Sequence, residues 1–456
     1  MPRGSAFADT MDDLLIDAAQ RAVRYRRSVG ARRVAPTPET IAELDAFREP
    51  LAQRGATAAD VVAMLDDLGS PATVATAGGR YFGFVNGSSL PVTVAANWLA
   101  TAWDQNAALA VMSPTAAVLE EVALAWLVDL FGLPSDTAGA FVTGATMASF
   151  TALAAARHAQ LSAVGWDAEA DGLFGAPPVT VVVGDEAHAS IGRALALLGL
   201  GRERVVRVAA DGQGRLRADA LPTVTGPAIV CAQAGNVNTG AFDPLDAICD
   251  WADANGAWVH VDGAFGLWAA ASPRHAHLTG GLGRADSWAT DGHKWLNVPY
   301  DCGIALVRDE TSLRASMALS AAYLPPSETR DPMHYGPDAS RRARGVDVWA
   351  ALKFLGRDGV AELVARCCGH AARIASELGS AGFDVLNDVV LNQVLVDFGG
   401  EARTLRAIDA IQRDGTCWAG VSRWHDRTVM RISVSSWATT DDDVDRAVRA
   451  IIRLAR

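Results

Sequence analysis

The chain has 456 residues, half of them hydrophobic and a fifth charged, which is enough apolar material for two to three domains, or one large domain with a smaller partner. Lys and Arg number 40 against 52 Asp and Glu, and the formal charge of −12 argues against nucleic acid or an anionic membrane as the main partner. Six cysteines form neither a CxxC pair nor a zinc-spaced cluster, so reduced thiols and no bound metal are expected.

The opening, MPRGSAFADTMDDLLIDAAQ, has acids where a secretion signal needs an apolar run. No apolar stretch reaches the roughly 18–20 residues of a membrane span, so a soluble, cytoplasmic protein is expected. Residues 1–75 predict a helical segment. TPETIAELDAFREPLAQRG starts at a Thr cap, and GATAADVVAMLDDLG is a second, short amphipathic stretch. This much helix cannot form a core alone, so it is expected to pack on the rest of the chain or on a second subunit. Over 76–345 apolar runs such as VTVVV (179–183), AIVCAQA (228–234), AWVHVD (257–262) and GIALV (303–307) alternate with Ala/Leu-rich helices, including 146–161 and 189–201. That pattern predicts a large α/β domain with a mostly parallel sheet covered on both faces. RRARGVDVWAALKFLGRDGV (341–360) predicts a long helix leading into a smaller α/β domain over 346–456. There, 384–398 and 428–437 look like strands, and an acid-started helix closes the chain.

Four segments carry candidate chemistry. In SWATDGHKWLNVPYDCG (287–303), Lys294 is one of only two lysines and has apolar neighbours. A Schiff-base lysine must be deprotonated part of the time and belongs in such a partly desolvated place; a plain surface charge is the alternative. In AWVHVDGAFG (257–266), Asp262 ends an apolar strand, where a carboxylate can hold a protonated pyridine nitrogen or simply cap a turn. In FVTGATMASFTALAAAR (141–157), a Thr-Gly-Ala-Thr turn opens a long helix, with Ala145 and Thr146 placed either to bind phosphate or merely to start the helix. In VVVGDEAHASIGRA (181–194), His188 lies between strand and helix, where it can stack on a flat ring or serve as a cap.

The order of these segments resembles the group II PLP-dependent amino-acid decarboxylases, which include the aromatic-L-amino-acid and glutamate decarboxylases. The likeness extends to YFGFVNGSSLP (81–91), SPTAAVLEEVALAWL (113–127), GNVNTGAFDPL (235–245) and the RRAR…WAALKFLG stretch. It implies the aspartate-aminotransferase-like fold type I and pyridoxal 5′-phosphate (PLP) as cofactor, carried by Lys294. It further implies that Asp262 pairs with the pyridine nitrogen, and that His188 and Ala264 lie against the two ring faces. Ala145, Thr146, His293 and Asp291 surround the phosphate, and Asn236 lies near the cofactor hydroxyl. Relatives often carry Asn at Asp291 and Thr at Asn236; a carboxylate beside phosphate repels it unless bridged.

The resemblance implies decarboxylation to an amine and CO₂, with a loop tyrosine returning the proton. Tyr335, beside His334 in the Pro/Gly-rich stretch 321–345, is the best match, and an ordinary connector tyrosine is the other reading. Relatives with Phe at that position make aldehydes, so a retained tyrosine favours simple decarboxylation. Aldehyde synthesis, transamination and carbon–carbon lysis share the fold. A non-enzymatic PLP-binding role would leave Lys294 and Asp262 idle. Substrate contacts are expected from Phe84 and Asn86, and from Trp103, Gln105 and Asn106 of a second subunit. That mixture fits an aromatic substrate with polar substituents, or a polar aliphatic one. A homodimer with sites at the subunit interface is the implied assembly.

Overall fold

Strands that are apolar on both faces are stable only when helices cover both sides of the sheet. The computed structural model, which describes residues 4–319 and 329–456 (4–10 by backbone alone), has that arrangement. Its main sheet contains β1 Ala138–Val142, β2 Thr180–Gly184, β3 Val206–Val208, β4 Ala228–Gln233, β5 Trp258–Asp262, β6 Ser287–Asp291 and β7 Gly303–Val307. Their spatial order is β1-β7-β6-β5-β4-β2-β3. Every residue of β4 to β7 is buried. The strands from β6 to β3 pair in parallel, as the sequence predicts, whereas β7 lies antiparallel between β6 and β1. β7 follows β6 through a return loop with no crossover helix, and that forces the reversed direction.

The helices used below are α1 Gly4–Ser28, α2 Pro91–Trp103, α3 Pro114–Leu130, α4 Ala145–Ser162, α5 Ala189–Leu197, α6 Leu245–Asn255, α7 Glu310–Met317, α8 Arg344–Ser380, α9 Glu401–Asp414 and α10 Asp441–Ala455. α4 packs over β5, β6 and β7. Trp268, Trp288 and Trp295 are the largest fully buried side chains. A second, antiparallel sheet of β8 Asp384–Val385, β9 Gln393–Asp397, β10 Gly420–Trp424 and β11 Arg427–Ser433 has the order β10-β11-β9-β8. α8 connects the two sheets and breaks at Gly356, whose φ of 61° and ψ of −176° are not helical.

Two expected elements differ. The single strand expected over 384–398 is split, because Val389 takes a positive φ and the Asn387 side chain bonds the N–H of Leu395 (3.0 Å) and the carbonyl of Gln393 (2.9 Å), closing a turn. The helix expected over 37–55 is short: Thr37 caps Pro38–Ala42, and the chain then tightens to a 3₁₀ turn through Arg48. Of the loop expected over 321–345, residues 321–328 lie outside the described residues. Among the described residues no helix is long and apolar enough to cross a membrane, and the six free cysteines are all buried.

Candidate active site

Parallel strands leave their C-terminal ends on one side of a sheet, and ligands bind in the crevice there. Asp262 is the last residue of β5 and Asp291 the last of β6, and the turn after β6 carries His293 and Lys294. β1 also ends on that side, so α4 starts beside them. A Cβ on Gly144, the residue before α4, would lie 3.6 Å from both Asp291 Oδ1 and His293 Cε1. No side chain caps α4, so the first N–H groups, from Ala145 and Thr146 onward, are left for an anion.

Lys294 Nζ lies 3.1 Å from Asp291 Oδ2, and His293 Nε2 lies 3.6 Å from the same oxygen. Asp291 Oδ1 is buried and has no hydrogen-bond partner. His293 Nδ1 accepts the N–H of Cys302 at 3.1 Å, and burial lowers its pKa, so Nε2 carries the single proton. Its ring stacks on Tyr300 at 4.2 Å, and the Tyr300 hydroxyl donates to Asn86 Oδ1 at 2.7 Å. Burial also raises the pKa of that phenol.

Asp262 is buried. Its Oδ1 accepts the N–H of Ala264 at 3.2 Å, and its Oδ2 receives only a long 3.5 Å bond from Ser190 Oγ. Ala264 passes its carbonyl to the N–H of Asp291 (3.0 Å), so one residue ties the two acids together. His188 caps α5, with Nδ1 accepting the N–H of Ser190 at 3.2 Å. Burial lowers the His188 pKa against the pull of Asp262, while Lys294, Arg431 and Asp291 also act on the ring.

Asn236 is engaged in shaping its own loop. Its Oδ1 accepts the N–H groups of Asn238 (2.9 Å) and Thr239 (3.2 Å), and its Nδ2 reaches the carbonyl of Glu186, two residues before His188 (3.3 Å). A Cβ on Gly87 would overlap the Lys294 carbonyl at 1.8 Å, so segment 81–87 presses on the lysine's backbone where only glycine fits. Phe84 takes a φ of 53° and packs on Trp418 at 5.4 Å, and Trp418 stacks on Tyr81 at 5.0 Å.

Four expected residues stand apart from this cluster within one chain. Trp103 is exposed at the end of α2, where Gln105 donates to its carbonyl (2.9 Å), and Asn106 accepts the N–H of Arg341 at 3.0 Å. Tyr335, the expected proton donor, is not brought to Lys294. Its hydroxyl donates to Glu310 at 2.6 Å, and Glu310 follows the end of β7 that points away from the cleft. The clamp has a physical cause: the Arg330 guanidinium covers the ring at 4.1 Å and burial holds the side chain in the core.

Two groups escaped the sequence reading. Arg431, on β11, is half-buried and its charge acts on His188; burial lowers its pKa, and its NH1 donates to the Val237 carbonyl at 3.1 Å. An arginine interrupting the apolar run TVMRISV was the available signal. Trp418 lies in a connector, and nothing nearby in the sequence marks it.

These residues fit PLP. An uncapped helix start suits a phosphate, a buried carboxylate suits a pyridinium nitrogen, and the Lys294 amine lies beside Asp291 at the same edge of the sheet. Residues 74–398 match the pyridoxal-dependent decarboxylase conserved domain. The chain is 30% identical over 315 residues to an aromatic-L-amino-acid decarboxylase of Bacillus atrophaeus, covering 66% of this chain but only 63% of that protein. It is 31% identical over 385 residues to an L-2,4-diaminobutyrate decarboxylase of Rhizobium meliloti (strain 1021), covering 79% and 73% respectively. The crystal structure of Oryza sativa TDC with PLP and tryptamine superposes with a TM-score of 0.90 at 23% identity, covering 100% of this chain and 99% of that one, which is a likeness of fold. The fold is the type I arrangement that the resemblance implied, and the chain belongs to the pyridoxal-dependent decarboxylase family, carboxy-lyases whose cofactor is pyridoxal 5′-phosphate.

Proposed function

We propose that this chain decarboxylates an aromatic L-amino acid to its amine and CO₂, with PLP carried by Lys294. The observation that carries the reading is the placement of Lys294 beside Asp291, at the same C-terminal edge of the sheet as the buried Asp262 and the uncapped start of α4. When bound, PLP supplies the electron sink for the pair left by the departing carboxylate. The chain supplies everything else. Asp262 keeps a proton on the pyridine nitrogen. His188, neutral and with Nδ1 occupied, offers a flat face to the ring, and Ala264 lies on the opposite side. The start of α4, at Ala145 and Thr146, holds the phosphate together with His293. Asp291 is tolerated there because Lys294 and His293 share its charge. Asn236 holds the loop beneath the cofactor hydroxyl. Arg431 is the cation available to the substrate carboxylate.

The aromatic preference is supported by the Tyr81, Phe84, Trp418 and Tyr300 rings and by the Bacillus relative. A homodimer with interfacial sites is supported by apolar surface with nothing on it. Leu15 and Ile16 of α1 and Trp98, Leu99 and Trp103 of α2 are exposed, and a cavity of about 1080 Å³ lined by Tyr25, Trp98 and Trp437 opens beneath α1. Trp103 and Asn106 would then serve the neighbouring site. Six buried thiols fit a reducing, cytoplasmic setting.

Incubation with a panel of L-amino acids, following CO₂, amine, aldehyde and keto acid, tests the reading. Equal amounts of CO₂ and amine from the aromatic members are expected. Aldehyde, keto acid or a cleaved side chain as the main product would overturn the reaction, and turnover confined to diamino or acidic substrates would overturn the specificity.

A further inference from the structure

One titratable side chain near the cleft has no part in the chemistry above. His260 lies on β5, two residues before Asp262, so both point to the same face about 6.6 Å apart along the strand. It is completely buried. Its Nδ1 lies 3.0 Å from Ser287 Oγ, on the neighbouring β6, and its Nε2 lies 3.2 Å from Ser149 Oγ, on α4. Trp258 Nε1 donates to Ser287 Oγ at 2.8 Å. The Ser287 proton is therefore free for His260 Nδ1, which leaves the imidazole proton on Nε2, aimed at Ser149. Burial pushes the His260 pKa down to about 3, so the ring stays neutral and keeps this donor direction.

Ser149 sits four residues after Ala145, roughly 6 Å along the helix from its start. The helix runs antiparallel to the strand. His260 therefore bonds α4 to β5 one layer below the cleft, with Asp262 above it on the strand and the start of α4 above it on the helix. Elsewhere these two elements meet through apolar packing, which does not fix an axial position as a hydrogen bond does.

We propose that His260 is a positioning residue that fixes the distance between the Asp262 carboxylate and the N-terminus of α4, and thereby sets the preference for a phosphorylated cofactor over its unphosphorylated form. A ligand anchored at both ends is sensitive to that distance, and a ligand anchored only at the ring is not. The inference rests on the reading that Asp262 meets the pyridine nitrogen and α4 the phosphate.

The test compares dissociation constants of PLP and of pyridoxal for the wild-type protein, Ser149→Ala and His260→Gln, with melting temperatures alongside. Wild type should strongly prefer PLP. Ser149→Ala should lower that preference about tenfold, chiefly by weakening PLP, because one oriented hydrogen bond is lost. His260→Gln, whose amide can still donate to Ser149, should keep the preference within about threefold of wild type. A melting temperature that falls while the ratio stays at the wild-type value in Ser149→Ala would reduce His260 to a stability element and overturn the proposal. A wild-type protein with no preference for PLP would instead overturn the assignment of α4 to the phosphate, and the proposal with it, so the two failures read differently.

Discussion

Two buried charge clusters serve one sheet in opposite ways. In the cleft, Lys294 faces Asp291 alone, Asp291 Oδ1 has no partner, and Asp262 has one short bond and one long one. Along the β1 edge, Glu120 lies between Arg330 (3.2 Å) and Arg341 (3.0 Å), and these pass further N–H bonds to the carbonyls of Gly139 and Phe141. The edge cluster consumes its donors in holding the 330–341 connector against α3 and β1. The cleft leaves capacity unused, and spare capacity is what a ligand requires. Buried charge therefore does not mark a site in itself, nor does one unbonded oxygen, since Glu120 Oε2 makes only an ion pair; an amine and two under-bonded carboxylates at one strand-end edge do.

The largest expected effect breaks the cleft. Lys294→Ala should abolish the visible absorbance of bound cofactor and reduce turnover to background, both read on the purified protein; retained turnover would mean the amine lies elsewhere. Next comes the edge. Glu120→Ala strands two guanidinium groups and should cost about 3–5 kcal/mol in denaturant unfolding, while the folded fraction keeps its cofactor absorbance. If cofactor binding is lost at unchanged stability, the division between the clusters fails. Tyr335→Phe removes one bond to Glu310 and should cost about 1 kcal/mol, with amine still the product. Aldehyde from that variant would return Tyr335 to the catalytic machinery and imply that the 2.6 Å contact opens in use.

A further effect concerns pH. His260 is neutral when folded down to about pH 3, whereas its unfolded imidazole protonates below 6.5. Between those values the unfolded state binds the extra proton, so wild type loses up to about 1.4 kcal/mol per pH unit as the pH falls. Glutamine does not titrate. The stability gap between wild type and His260→Gln should therefore narrow from pH 7 to pH 4.5, and a constant gap would mean the ring is already charged in the folded state.

Candidate groups fixed by a strand end or a helix start are legible in the sequence. Asp262, His188, Ala145 and Lys294 each sit where an apolar run stops, and a break in pattern is visible in one dimension. Arg431 and Trp418 were not legible, because their relevance depends on the second sheet folding back over the first, which no local pattern records. Tyr335 was misplaced for the converse reason: a Pro/Gly-rich neighbourhood suggests an exposed loop, but the ring is drawn inward by Arg330 and Glu310 from distant segments. The reversal of β7 was likewise hidden, because GIALV reads the same in either direction of pairing.

The break in α8 has a consequence at long range. A Cβ on Gly356 would meet nothing within 4 Å, so space does not demand glycine there; the backbone angle does. That single torsion sets the bearing of the C-terminal sheet, and the sheet carries Arg431 on β11. The lever arm is long, so a few degrees at a remote, solvent-facing residue become ångströms at the guanidinium. The placing of that charge is thus controlled from a position far along the chain from it.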